Sequence, residues 1–82
     1  MPAERGVTVA DLKGWRLRAT LTQEQLAGKA GVARATIVRG EGGGTLSIPN
    51  VQALATALGI AVEQLRFESP RELGTGRQEG RE

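Results

Sequence analysis

Residues 21–41 read LTQEQLAGKAGVARATIVRGE, and the fold can be inferred from the helix signals that they contain. Thr22 and Gln25 form the pattern of a capping box, in which a hydroxyl caps the start of a helix and a residue three places on reaches back. The pattern predicts a short helix over 22–29. Gly31 is placed to end this helix, because glycine readily takes the left-handed conformation found at helix C-termini.

A second helix is predicted directly after the turn, over 33–41, with Ile37 as its main apolar anchor. Ala27 on the preceding helix is small, so the two helices can approach closely. Two short helices joined by a tight turn are the layout of a helix-turn-helix, in which the second helix can enter a DNA major groove.

A further helix is expected before this pair. Thr8 and Asp11 fit the Ser/Thr-x-x-acid pattern of a helix start, and apolar residues recur after them at helical spacing, which predicts a helix over 8–19. Residues 1–7 are polar and small and are expected to form a flexible leader.

Two helices are expected after the pair. Ser47 is a suitable N-cap and Pro49 falls in the first turn, so an amphipathic helix is predicted over 48–58. A short fifth helix is predicted over 62–67. The remaining segment, 68–82, is polar and rich in glycine and charge, and is expected to be disordered.

The composition excludes several classes of protein. The chain has 82 residues, no cysteine, no histidine and a single aspartate, so it lacks the parts of most catalytic and metal sites. Neither an enzyme, a cofactor nor a metal is expected. No apolar run approaches the roughly 20 residues of a membrane span, and no secretory signal is visible. The absence of cysteine fits a reducing cytosol, so a cytoplasmic protein is expected.

The net charge of +2 is small, but the basic excess is uneven. Residues 1–50 contain seven Lys and Arg against four acidic residues, whereas residues 51–82 contain four Arg against five Glu. The basic excess therefore lies in the half that contains the two-helix motif, as binding to phosphates requires.

Several segments together resemble the lambda-repressor-like, Cro-type (XRE) helix-turn-helix family: LTQEQLA at 21–27, AGVARATI at 30–37, Arg39, Glu41, LATALGI at 54–60 and EQL at 63–65. The resemblance covers about residues 9–66. It implies an all-α, compact five-helix domain over 8–67 that binds double-stranded operator DNA, usually as a homodimer. The implied function is that of a transcriptional regulator, such as a repressor.

The resemblance also implies roles for single residues. The helix over 33–41 would be the recognition helix, and its base-contacting positions match Arg34, Ala35, Val38 and Arg39. The positions that contact phosphate match Gln23, Thr36 and Thr45. Arg16 and Glu41 match a pair that forms a structural ion pair between the first and third helices.

The sequence departs from the family pattern at three single positions and in the glycine run 42–44, which is looser than the family's usual turn. Ala33 stands where a Ser or Thr N-cap is usual, and Val38 replaces a residue that is more often polar. Gly40 replaces a large aliphatic core residue, which leaves three outcomes open: a cavity, an early end to the third helix, or a space filled by Trp15.

Other interpretations remain open from the sequence. Trp15 is expected in the core rather than as a platform for stacked bases, whereas Phe67 on the fifth helix fits either a core residue or a dimer contact. One alternative function is that of an antitoxin that regulates its own promoter and binds a toxin protein through its C-terminal segment. Another is that of a protein-interaction module with weakened DNA binding, since the net charge is nearly neutral.

Overall fold

A computed structural model of the chain describes residues 6–70, and this part of the chain contains five α-helices. Their bounds are α1 Leu12–Arg18, α2 Gln23–Ala30, α3 Arg34–Glu41, α4 Ile48–Leu58 and α5 Val62–Phe67. The all-α, five-helix architecture expected from the sequence is confirmed. The bounds predicted for the last two helices agree with the structure, and those of α2 and α3 agree to within one residue.

The local signals in the decisive stretch form as predicted. The Thr22 hydroxyl accepts a hydrogen bond from the backbone N–H of Gln25 at 3.0 Å, and the Gln25 side chain accepts one from the Thr22 N–H at 2.9 Å. Gly31 ends α2 with a φ of 74°. This left-handed conformation favours glycine, because a glycine residue has no Cβ atom.

The start of α4 also follows its sequence signal. The Ser47 hydroxyl accepts from the backbone N–H of Asn50 at 3.3 Å, and Pro49 occupies the first turn, where no hydrogen bond is lost. The helix presents its apolar stripe to the core, burying Val51, Leu54 and Ala55.

The predicted start of α1 at residue 8 is wrong. The helix begins at Leu12, and Asp11 is its N-cap, with a carboxylate oxygen that accepts from the backbone N–H of Gly14 at 3.1 Å. The preceding segment is held by other backbone groups, since the Ala10 N–H donates to the Leu65 carbonyl at 3.3 Å. Long-range pairing of this kind overrides a local capping pattern.

Parts of the predicted leader and of the predicted tail are folded. Val7 pairs with Leu46 through two antiparallel backbone hydrogen bonds of 2.8 Å, so the end of the predicted leader is fixed in the fold. At the other end, residues 68–70 fold back onto α1, where the Ser69 hydroxyl donates to the Asp11 carboxylate at 2.6 Å. The rest of the predicted leader and tail, 1–5 and 71–82, lies outside the described residues.

The core lies between the five helices and includes one residue from the loop before α4. Its fully buried large side chains are Leu12, Leu26, Ile37, Leu46, Val51, Leu54 and Leu65. Trp15 is buried as expected, and its indole N–H donates to the carbonyl of Glu68 at 3.0 Å. Its ring therefore lines the core and is not free to stack with bases.

Gly40 lies inside α3 and is buried, so the helix does not end early. A Cβ atom at this position would lie 2.9 Å from Cδ2 of Leu12 and 3.0 Å from Cδ1 of Leu46. These two leucines, rather than Trp15, occupy the space that a larger residue would fill. The absence of a side chain thus lets α1 and the loop before α4 approach α3.

Within residues 6–70, none of the helices has the length and apolar character needed to cross a membrane.

Candidate nucleic-acid interface

One side of α3 faces solvent and the other faces the core. The inward side is formed by Ile37 and Gly40, both buried. The four side chains expected to contact bases are exposed and recur at one-residue and four-residue spacings, which places them on one helical face: Arg34, Ala35, Val38 and Arg39. The structure therefore brings the four predicted base-contacting residues together on one outward surface, the α3 outer face.

The support for this face comes from two neighbouring helices. α3 packs against α2 and α1, and Ile37 is completely buried between them and the core. The start of α3 is less well supported, because its N-cap Ala33 makes no side-chain hydrogen bond. The sequence predicted this, since an alanine side chain has no atom that can accept a hydrogen bond.

The end of α3 is tied to α1 by the predicted ion pair. Arg16 Nε lies 2.5 Å from Glu41 Oε2, and Arg16 Nη2 donates to Glu41 Oε1 at 3.4 Å. Both side chains are about 10% exposed, and Arg16 Nη1 also donates to the Leu21 carbonyl at 2.9 Å. A buried pair with these additional hydrogen bonds fixes the position of α3 relative to α1.

Gln23 connects this ion pair to the α3 outer face. Its Nε2 donates to Glu41 Oε1 at 3.0 Å, and its Oε1 accepts from Arg34 Nη2 at 3.3 Å. The sequence assigned Gln23 and Arg34 separate roles and did not predict this contact. No local pattern could have revealed it, because Gln23 lies 18 residues from Glu41 and 11 from Arg34.

A second group of polar residues borders the C-terminal end of the α3 outer face. A hollow there is lined by Arg39, Thr45, Ser47 and Asn50 together with Gly6 and Leu46. The aliphatic stem of Arg39 packs on Gly44, where an added Cβ would lie 2.6 Å from Arg39 Cγ. This packing places the predicted phosphate-contacting Thr45 beside a predicted base-contacting arginine.

Thr36 differs from the other predicted contacts. It is half-buried and lies on the flank of α3, away from the four exposed side chains.

Gly6, Ser47 and Asn50 were not singled out as site residues by the sequence. They reach the hollow through the pairing of Val7 with Leu46, which is a long-range contact that no spacing along the chain indicates.

The chain is similar to known proteins in both sequence and fold. The model of a helix-turn-helix family matches residues 12–65, which include all five helices except the last two residues of α5. The crystal structure of a hypothetical transcription factor, NHTF, from Neisseria is similar in fold, with a TM-score of 0.65 and 24% sequence identity. The likeness covers 90% of this chain and 94% of that chain. No curated protein sequence gave a significant match. The family match extends over more than half of the sequence, and the chain therefore belongs to the Cro/C1-type helix-turn-helix family of DNA-binding regulators rather than to an enzyme family.

Proposed function

We propose that the protein is a sequence-specific transcriptional regulator that acts in the cytoplasm as a homodimer and places α3 in the major groove of double-stranded DNA. The observation that carries this proposal is the α3 outer face, on which two exposed arginines flank two small or apolar side chains. Occupancy of an operator would then repress transcription by blocking polymerase, or activate it by recruiting polymerase.

The side chains on this face suit recognition of base edges. Arg34 and Arg39 can each donate two hydrogen bonds to the O6 and N7 atoms of a guanine. The methyl group of Ala35 suits contact with a thymine methyl group. Val38 is 45% exposed and offers a further apolar contact of the same kind. The face thus favours a site that contains both guanine and thymine.

Phosphate contacts are proposed at both edges of the face. Gln23 is the first residue of α2, where unpaired backbone N–H groups and the helix dipole favour an anion. Thr45 borders the hollow before α4, and its hydroxyl can donate to a phosphate at the other edge. Thr36, on the flank, is the third proposed phosphate contact. These contacts would position the domain, and α3 would read the sequence.

The homodimer is supported by an exposed aromatic residue. Phe67, at the end of α5, is 65% exposed, and the guanidinium carbon of Arg66 lies 4.6 Å from its ring centroid. A second copy would cover this residue, and helix-turn-helix dimers bind two half-sites about one helical turn apart, at ~34 Å. Sedimentation at micromolar concentration tests this: Phe67→Ser should shift the protein towards monomer, and an unchanged dimer would place the interface elsewhere.

Selection of bound sites from a pool of random duplex DNA tests the proposed function. A palindromic consensus with half-sites about 10 base pairs apart would support it. The affinity should also fall steeply as salt rises, because each phosphate contact releases a counterion. A pool that shows no enrichment would contradict the proposal.

A protein-interaction module with weakened DNA binding is the second candidate, and the uncapped start of α3 favours it. A weak affinity for DNA with a flat salt response would support this alternative.

The antitoxin alternative involves the C-terminal segment, of which the structure describes only residues 68–70. A small toxin gene beside this gene would favour the antitoxin alternative.

A further inference from the structure

The side chain of Gln23 lies between a group that only accepts hydrogen bonds and a group that only donates them. Glu41 Oε1 accepts from its Nε2, and Arg34 Nη2 donates to its Oε1. A carboxamide has one donor end and one acceptor end. These two partners are therefore satisfied together by one orientation of the amide, whereas the flipped amide would oppose donor to donor and acceptor to acceptor.

The carboxylate of Glu41 is the fixed member of this arrangement. It is about 10% exposed and is held by Arg16, which is anchored in turn to the Leu21 carbonyl. Arg34, by contrast, is exposed at the first position of α3. Hydrogen bonds of the Gln23 amide therefore connect the buried ion pair to the exposed guanidinium of Arg34.

We propose that Glu41 is a positioning residue for base recognition: it fixes the amide of Gln23 so that a carbonyl oxygen faces Arg34 and holds its guanidinium in one direction. This inference rests on the proposed function, in which Arg34 reads a base. A guanidinium that is already oriented loses less conformational freedom on binding. Binding to the correct base pair therefore gains more free energy than binding to the incorrect ones.

The isosteric substitution Glu41→Gln separates this role from simple packing. The shortest contact of Glu41 is with Arg16 Nε, and after the substitution Arg16 Nε would still take a carbonyl oxygen as its acceptor. The NH₂ group of the new carboxamide would then point towards Gln23. The amide of Gln23 would then flip to accept from it and present its own NH₂ group to Arg34. Because two donors face each other, Arg34 would be released.

A second substitution should reverse this effect. In the double variant Gln23→Glu, Glu41→Gln, the carboxylate at position 23 accepts both from the carboxamide at position 41 and from Arg34. The orientation of Arg34 is then restored without the original amide. The added negative charge at the start of α2 should weaken binding to every duplex, so the preference between bases, and not the affinity, is the quantity to measure.

The experiment is selection from a duplex pool with randomised base pairs, performed in parallel with wild type and the variants. At the base pair whose preference Arg34→Ala abolishes, Glu41→Gln should lower the preference about three- to tenfold, because the hydrogen bond lost from Arg34 is exposed and contributes no more than an ordinary one. The double variant should recover most of it. Affinity for a scrambled duplex should not fall in Glu41→Gln, because the substitution removes a negative charge.

Two controls distinguish positioning from folding. Arg16→Lys weakens the ion pair but retains the carboxylate and the amide, so it should lower the melting temperature and leave the base preference unchanged. Gln23→Met removes both hydrogen bonds without touching the ion pair, so it should lower the preference even if Glu41→Gln fails to fold.

The outcomes are separable. If Arg34→Ala leaves every preference unchanged, the proposed base contact is wrong. If Arg34→Ala abolishes a preference that Glu41→Gln and Gln23→Met both retain, or if the double variant recovers nothing, the positioning role is wrong and the base contact stands.

Discussion

Two glycines in neighbouring helices show how the surroundings of one residue decide its role. Gly40 is buried in α3 against Leu12 and Leu46, whereas Gly28 is exposed in α2 with nothing within 4 Å of an added Cβ. Both lie in helix interiors, where glycine is less stable than alanine by about 0.8–1.0 kcal/mol. The same substitution should therefore have opposite effects at the two positions.

We expect Gly28→Ala to raise the free energy of unfolding by about 1 kcal/mol, because it gains helix propensity without a clash. Gly40→Ala should lower it by about 1–3 kcal/mol, since its new methyl group meets two fully buried leucines that cannot move freely. Urea denaturation of both variants measures the difference. Stabilisation by Gly40→Ala would show that the core relaxes around the added group.

Glu41 is the ion-pair partner of the buried guanidinium of Arg16. Glu41→Ala leaves the guanidinium of Arg16 buried without its carboxylate and should destabilise the fold by about 3–5 kcal/mol. The melting temperature should fall far more than in Glu24→Ala, which removes an exposed carboxylate from α2. Similar melting temperatures for the two variants would mean that the ion pair contributes little.

Among the helices, α3 and α5 share a weakness at their starts. Ala33 and Ala61 are both N-caps in extended conformation, and neither side chain can accept a hydrogen bond. At Ala61 half of a capping box is already present, because Gln64 accepts from its backbone N–H at 2.9 Å. Serine at either position would supply the missing acceptor.

Ala33→Ser and Ala61→Ser should each raise the free energy of unfolding by about 1 kcal/mol in urea titrations. Ala61→Ser lies away from the α3 outer face and should leave DNA affinity unchanged, whereas Ala33→Ser adjoins Arg34 and is expected to alter it. No gain in stability from either serine would mean that water already satisfies the helix start.

The helices were predictable from the sequence wherever their signals are local. Thr22 with Gln25, Gly31 and Ser47 act within four residues, so the patterns that they form survive in the structure. The start of α1 was not predictable, because the pairing of Val7 with Leu46 and of Ala10 with Leu65 decides it. The bridge from Arg34 through Gln23 to Glu41 is hidden for the same reason.

At the scale of the whole molecule, both ends of the described chain are tied to the core. Val7 pairs with the loop before α4, and residues 68–70 contact α1 through Trp15 and Asp11. The family match ends at residue 65, so this return of the chain lies outside the matched segment. It covers one edge of Trp15 and buries Pro70.

A chain that ends at residue 70 should be more stable than one that ends at residue 67 by about 3 kcal/mol. This is the sum of three hydrogen bonds at about 0.5–1.5 kcal/mol each. Thermal unfolding of the two truncated proteins, compared side by side, isolates the contribution of residues 68–70. Equal melting temperatures would show that these contacts do not stabilise the fold.

Arg18→Ala offers a matched control for Arg34→Ala, since it also removes one exposed arginine. Arg18 lies 5.8 Å from the ring centroid of Trp15 and lines a groove with Leu58, Ile60 and Gln64, none of which belongs to α2 or α3. Loss of its charge should therefore leave recognition of bases intact.

The most direct measurement is a gel-shift titration of wild type, Arg34→Ala and Arg18→Ala against the selected duplex and a scrambled duplex. We predict that Arg34→Ala weakens binding to the selected duplex by about 1–3 kcal/mol and narrows its advantage over the scrambled duplex, while Arg18→Ala retains that advantage. Equal losses for the two variants on both duplexes would contradict recognition of the sequence by the α3 outer face.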